Sequence, residues 1–315
     1  MLAEKELRES NVQQNMVLTV GVFDGVHLGH RHLLSQLIKE ATNQAALSGV
    51  VTFRRHPIEL LNQKAALPYL TSLDEKVRLL QAEGVDKVVA LTFNKQLAGL
   101  DAAEFVGLLQ RYLRMCGLVI GPDFALGRNR EGNVEKLSYL GKQLGFAVIV
   151  VPPLKIDGEV VSSTIIRQAL AEGNMDKVVK LTGRPYSIKG RVATGTGLGR
   201  QIGFPTANLK IEPGWAIPAD GVYATFTHVN GAIHSSMTNI GIRPTFDGKN
   251  RTIETYILDY SGDLYGKEVA IDVVDRLRPE KKFASVDDLK EQITRDIVKG
   301  RAILRSKGHL QHGNK

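Results

Sequence analysis

Cysteine, tryptophan and long apolar runs are scarce in this chain. Cys116 is the one cysteine among 315 residues, which excludes an intramolecular disulfide framework and a zinc site built from cysteines. No stretch approaches the ~18 consecutive apolar residues that a membrane-spanning helix needs. The first fifteen residues, MLAEKELRESNVQQN, mix acids with bases, and no apolar h-region of a signal peptide follows them. They read as neither a secretory signal nor an acid-poor transit peptide. No arginine-rich or RNP-like aromatic stretch is present, and no internal repeat. A soluble, cytoplasmic protein with no membrane partner is expected.

What the chain does contain is enough apolar material for a core. Hydrophobic residues make up 43% and charged residues 23%, which excludes wholesale disorder. At roughly 150 residues per domain the length suggests two domains. The net charge is +8 and unevenly spread. Residues 1–182 hold 21 basic against 19 acidic residues, and residues 183–315 hold 20 against 14, so the second part carries six of the eight excess charges. A mildly basic surface favours anionic partners such as nucleotides, phosphates or RNA, although ordinary surface chemistry produces the same balance.

Residues 16–22 form a compact apolar run, as a buried parallel strand does. A helix is expected from His30 to Ala46, with further strands at 49–53, 87–92, 118–121 and 147–151. Ser72 with Glu75, and Asp101 with Glu104, have the spacing of capping boxes that open two more helices. This alternation predicts a parallel sheet with helices on both faces. From about Gly183 the pattern changes to short strands punctuated by Gly, Pro and Asn, at 187–193, 221–228, 233–240, 251–258 and 268–277. That predicts an antiparallel barrel or sandwich. A final helix is expected after Ser285, and the last residues, 308–315, are expected to fray. The boundary falls near 175–186.

Two segments carry candidate chemistry. The first reads Val20-Gly21-Val22-Phe23-Asp24-Gly25-Val26-His27-Leu28-Gly29-His30. A strand, a glycine turn and a helix start occur in succession, with two histidines three apart at the helix end. Unpaired N–H groups and the positive end of the helix dipole suit a phosphate there. A bare His-x-x-His more often marks a solvated helix start, but the complete string does not. No Walker A lysine is present, and neither is the metalloprotease helix motif. The second segment, residues 195–209, places Gly195, Gly197, Gly199 and Gly203 ahead of Pro205-Thr206-Ala207-Asn208. Glycines can wrap phosphates, and a Thr hydroxyl with an Asn carbonyl suits Mg²⁺.

The first segment resembles the HxGH nucleotidyltransferase superfamily in its bacterial FAD synthetase branch. A second signature of that family, SSTxIR, stands here as Ser162-Ser163-Thr164-Ile165-Ile166-Arg167, with Ser162 or Ser163 as a helix N-cap and Gly173 past the helix end. The resemblance implies ATP-phosphate binding by Gly21, Phe23, Asp24, Gly25, Gly29, Ser162, Ser163 and Thr164. It implies catalytic roles for His27, His30 and Arg167. Residues 121–132 resemble the family's flavin loop, with Asp123 and Phe124 as flavin-binding residues, and His56-Pro57 also matches. Ala125, Leu126 and Ile165 depart from the family pattern.

The second segment resembles the riboflavin kinase family, whose PTAN motif it reproduces. The resemblance continues through residues 221–224, 239–246, 252–254, 263–268 and 278–283. It implies ATP binding by Gly195, Gly197, Gly199, Arg200 and Gly203, Mg²⁺ binding by Thr206 and Asn208, flavin binding by Arg243, and Glu254 as catalytic base. Arg251 fits phosphate or flavin binding and a solvated face equally well.

Nearly the whole chain therefore resembles bacterial bifunctional riboflavin kinase/FAD synthetases. The implied fold is an α/β Rossmann-like adenylyltransferase domain at 1–180, followed by an antiparallel β-barrel kinase domain with a terminal helix at 181–315. The implied substrates are riboflavin, FMN and ATP, with Mg²⁺, FAD as product and no nucleic-acid partner. The oligomeric state is left open. Two rivals are a kinase-only enzyme, through the departures at 125, 126 and 165, and a basic RNA- or nucleotide-binding regulator.

Overall fold

A computed structural model describes residues 1–62, 67–195, 197–245 and 248–308, with the side chains at 243–250 and 308 outside that description. The chain divides into two compact units, Met1–Ser163 and Thr164–Lys315. The sequence pattern changes later, near residue 180, because two helices that follow Val161 group by packing with the second unit.

In the first unit, α1 (Leu2–Glu9) precedes β1 (Met16–Val20), α2 (Leu28–Asn43), β2 (Leu47–Phe53), α3 (Pro57–Leu61) and α4 (Leu73–Ala82). Then come β3 (Lys87–Leu91), α5 (Lys95–Gly99), α6 (Ala102–Leu113), β4 (Met115–Ile120), α7 (Val134–Leu144), β5 (Ala147–Val150) and the hairpin β6 (Lys155–Ile156) with β7 (Glu159–Val160). Five strands form a parallel sheet in the order β3-β2-β1-β4-β5. Every residue of β1 is buried, because successive side chains enter opposite cores. Met16, Leu18 and Val20 pack with α1, α6 and α7 on one face, while Val17 packs with α2 and α4 on the other. The order also makes the β1/β4 edge a topological switch point, so the loops leaving β1 and β4 flank one crevice.

The local signals mostly act as expected. Asp101 and Glu104 close a full capping box on α6, whereas Ser72 caps α4 through the Glu75 N–H alone, since Glu75 turns to Arg78. Three differences stand out. Helix α2 starts at Leu28, two residues before the expected position, so His27 is itself the N-cap. Helix α1 was not expected from its polar composition, yet Ala3 and Leu7, one turn apart, are both buried. Helix α7 was also missed, although Asn133 caps it and Gly145 ends it in the left-handed conformation (φ 74°).

The second unit begins with α8 (Ser163–Glu172) and α9 (Met175–Thr182), followed by β8 (Tyr186–Ala193), α10 (Leu198–Gln201), β9 (Ala207–Lys210), β10 (Gly221–Val229), β11 (Ala232–Thr245), β12 (Gly248–Ile257), β13 (Glu268–Arg278) and α11 (Val286–Gly308). Six strands close an antiparallel barrel in the order β10-β11-β12-β9-β8-β13, which decides between barrel and sandwich. Its interior combines Ile188, Ile253 and Ile271 with a ladder of buried hydroxyls. Thr225 bonds to Ser236 (2.8 Å) and Thr238 (2.9 Å), and Thr227 to Ser236 (2.7 Å), so these polar groups are satisfied without water. Outside the barrel, Val222, Ala224, Met237 and Leu277 pack beneath Ile297 and Leu304 of α11. Ser285 caps α11 as expected, accepting from the Asp288 N–H at 3.1 Å. The tail expected to fray lies outside the described residues, apart from the backbone of Gly308.

Candidate active sites

In the first unit the turn after β1 is strained. Phe23 (φ 53°) and Val26 (φ 37°) adopt positive φ with Gly25, a conformation costly for a β-branched residue. Several distant groups hold it. The Asp24 carboxylate, 3% exposed, accepts from the backbone N–H groups of Leu70 (3.0 Å) and Thr71 (3.1 Å). The Thr71 hydroxyl accepts from the Gly25 N–H at 3.0 Å, and the Ser163 hydroxyl donates to the Asp24 carbonyl at 2.9 Å. Thr52 Oγ1 donates to the Val22 carbonyl at 3.0 Å.

This turn delivers two histidines to the start of α2. His27 Nδ1 accepts from the His30 N–H at 3.3 Å, so a neutral His27 carries its proton on Nε2, which is then a donor. The two rings stack with centroids 3.6 Å apart and planes 17° apart, and Phe23 lies 5.0 Å from His30. Gly29 makes this packing possible, because a Cβ there would come within 2.8 Å of the Val161 carbonyl and 3.1 Å of the His27 ring. Gly21 ends β1, donating to the Val51 carbonyl at 3.0 Å.

The second unit holds a cavity of about 380 Å³ between the outer face of the barrel and α11. Strand register builds one wall. Glu254 on β12 lies opposite Asn208 on β9 and opposite Asn239 on β11, which places the three side by side on one face. The glycine segment builds the facing wall, and it approaches too closely for any side chain. A Cβ at Gly195 would sit 2.2 Å from Asn208 Nδ2, and one at Gly199 would sit 2.4 Å from the Phe204 carbonyl and 3.1 Å from Thr206 Oγ1. Gly199 and Arg200 lie in the helical turn α10 rather than in an open loop, with Gly197 and Gly203 in left-handed conformations on either side. Arg278 at the cavity rim is held by Asp296 of α11 (2.9 Å) and lies over the Phe283 ring.

Comparison with known proteins gives the same two-part division. The FAD synthetase family model matches residues 9–165, and the riboflavin kinase model matches residues 182–304. The bifunctional riboflavin kinase/FMN adenylyltransferase of Escherichia coli (strain K12) is 40% identical over 92% of this chain and 93% of its own. The chain belongs to that family. The Pseudomonas fluorescens member is 38% identical over 93% of this chain and 94% of its own. A crystal structure described as a macrolide-efflux protein from Streptococcus pneumoniae is 32% identical, with a TM-score of 0.86 over 96% of this chain and 97% of that one. Among the described residues no helix is long and apolar enough to cross a membrane.

As a member of this family, the chain gathers most of the residues singled out from its sequence. Gly21, Phe23, Asp24, Gly25, His27, Gly29, His30 and Ser163 form one constellation in the first unit. Ser162 precedes α8, while Thr164 and Arg167 lie in its first turns and belong to the second unit by packing. Asp123 is exposed and Phe124 half-buried, at the end of β4. The departing Leu126 is a core residue, exchanging backbone hydrogen bonds with Gly132 at 3.1 and 2.9 Å. In the second unit Gly195, Gly197, Gly199, Arg200, Thr206, Asn208 and Glu254 line the cavity, and Gly203 turns the chain behind them. The Arg243 side chain lies outside the described residues. Arg251, left open above, binds Asp220 and the Ile217 and Pro218 carbonyls, a structural role.

Sequence reasoning placed Asn239 and Glu280 in family-like segments without giving them a site role, and missed Tyr256 on the cavity wall and Lys76 behind the first-unit turn. Asn239 was findable, because an antiparallel strand next to β12 must place one residue opposite Glu254. Glu280 accepts from Asn239 Nδ2 at 3.2 Å, a contact no local pattern encodes.

Proposed function

We propose that this family member performs both reactions of its family at two separate sites, with adenylyl transfer in 1–180 and kinase chemistry in 181–315. The carrying observation is the row Asn208–Glu254–Asn239 facing a glycine-bounded cavity, in a chain whose other unit presents a stacked histidine pair at a helix start.

At the cavity, Glu254 accepts the proton of the riboflavin 5′-hydroxyl, whose oxygen then attacks the γ-phosphorus of ATP. The bond to the β-phosphate oxygen breaks, and FMN and ADP result. The α10 turn and the glycines around it hold the nucleotide phosphates, with Arg200 at the rim. The Thr206 hydroxyl and the Asn208 amide oxygen are hard oxygen donors beside a cradle that any Cβ would fill, a pair that fits Mg²⁺. When bound, the ion would neutralise negative charge on the ATP phosphates.

In the first unit an oxygen of the FMN phosphate attacks the α-phosphorus of ATP, and pyrophosphate leaves as FAD forms. The attacking oxygen is already anionic, so no base is required. His27 Nε2, His30 and the α2 N–H groups stabilise the charge that builds on the phosphates. Asp24 acts by holding the turn, since its oxygens face backbone donors. Asp123 and Phe124, at the β4 end of the switch-point crevice, contact the flavin.

Complementation tests this reading. His27→Ala should convert riboflavin to FMN only, and Glu254→Gln should convert supplied FMN to FAD only. The two variants mixed should carry riboflavin to FAD. Loss of both activities in either folded variant would contradict separate sites.

A further inference from the structure

Lys76 is a charged residue with no role in the mechanism above, and it is 5% exposed. It sits on α4 and reaches behind the phosphate turn. Its Nζ donates to the Val22 carbonyl at 3.0 Å and to the Phe53 carbonyl at 2.8 Å, joining the ends of β1 and β2. These two peptides differ in what lies on their other side. The N–H that follows Phe53, on Arg54, is committed to the Leu91 carbonyl at 2.9 Å. The N–H that follows Val22, on Phe23, has no hydrogen-bond partner among the described residues. Peptide bonds here are trans, so that N–H points away from the ammonium. A cation on the carbonyl polarises the whole amide and strengthens its N–H as a donor.

We propose that Lys76 is a positioning residue for adenylyl transfer, its ammonium fixing the Val22–Phe23 peptide so that the Phe23 N–H donates to an ATP phosphate. This rests on the reading that the His27–His30 turn binds phosphate. Burial pushes the Lys76 ammonium down to about 8, with the Asp24 carboxylate pulling the other way. The donor therefore loses its backing charge within an accessible pH range.

Other titratable groups on the surrounding elements are Asp24 and His27 on the turn, His30, Arg31, His32, Lys39 and Glu40 on α2, Arg54, Arg55, His56, Glu59 and Tyr69 on the segment after β2, Lys87 on β3, and Asp74, Glu75 and Arg78 on α4 itself. Carboxylates and imidazoles ordinarily change charge below about pH 7, and lysines and arginines above about pH 10. Burial and the bond to Glu59 push the Tyr69 phenol up to about 12. The Lys76→Arg and Lys76→Met variants distinguish a Lys76 limb in the interval from pH 7.5 to 9.5 from one due to any of these groups.

The test is kcat/KM for ATP in FAD formation from FMN, measured across that interval on the full chain. Riboflavin phosphorylation by the same molecules serves as the control for folding. Wild type should lose activity with a midpoint near pH 8, and the kinase should show no such limb. Lys76→Arg, which keeps its charge, should carry activity past pH 9.5. Lys76→Met should be slower by about 10- to 100-fold, as for a lost charge-assisted hydrogen bond, and should lack the limb. No limb in wild type, or the same limb in both variants, would overturn the proposal. His27→Ala in the same assay separates the two ideas. If it forms FAD at the wild-type rate, the phosphate-site reading fails and the proposal with it. If it is inactive while the Lys76 variants keep the wild-type limb, the proposal alone fails.

Discussion

Replacing Glu254 by Gln should abolish most kinase activity while leaving the barrel intact. The side chain is half-buried in the middle of β12, between Ile253 and Thr255, which point into the barrel core. Gln keeps the volume and the reach toward Asn208 and Asn239, so the change in stability should stay within about 0.5 kcal/mol. What it removes is the ability to take a proton. Asn208, Asn239 and Thr206 cannot replace it, being neutral amides and a hydroxyl. The expected loss in kcat is therefore that of a general base, about 10²- to 10⁴-fold. The assay is chromatographic separation of riboflavin from FMN under saturating ATP, alongside FAD formation from supplied FMN, which should be unchanged. The cavity is lined by two further carboxylates, Asp296, which is bonded to Arg278, and the competing Glu280, which is bonded to Asn239. A Glu254→Gln enzyme within threefold of wild type, with Glu280→Gln inactive, would move the base to Glu280 and refute the reasoning from register.

Three further outcomes are expected. His27→Ala should lower FAD formation by about 10²- to 10³-fold, the usual loss for one transition-state donor, with riboflavin phosphorylation unaffected. Gly199→Ala should do the opposite: its Cβ would lie 2.4 Å from the Phe204 carbonyl, and displacing the glycine wall by about 1 Å should cost the kinase about 10²-fold while FAD formation from FMN persists. Lys76 should also link stability to pH. Because burial lowers the folded group from 10.5 to about 8, the unfolded chain binds more protons between those values. Wild type should therefore gain stability relative to Lys76→Met as pH rises from about 8 to about 10.5, the direction opposite to its FAD-forming activity. A gap between the two urea midpoints that stays constant over that range would contradict this.

Sequence legibility followed the range of the interactions. The run Met16–Val20 announces a strand buried on both faces because five successive residues need cover. Asp101 with Glu104, and Ser285, announce helix starts because a cap acts over three residues. The glycines at 195 and 199 mark close backbone approach, though not that Gly199 lies within a helical turn. Long-range partnerships left no such trace. Lys76 follows Glu75 on an amphipathic helix and reads as solvated, yet its partners are Val22 and Phe53, 54 and 23 residues away. Asp24 reads as part of a phosphate motif, while its oxygens face Leu70 and Thr71, 46 and 47 residues on. Strand β9 was missed because its four residues, Ala207–Lys210, coincide with the PTAN motif and read as ligand chemistry alone. Its register against β12 is what brings Asn208 to Glu254.

The decisive measurement is a time course of the purified chain with riboflavin, ATP and Mg²⁺, resolved by chromatography. Two working sites predict riboflavin giving way to FMN and FMN to FAD, with ADP and pyrophosphate released in turn. Folded protein that stops at FMN would contradict the adenylyl-transfer site, and folded protein that forms no FMN would contradict the kinase assignment on which the reading of the barrel rests.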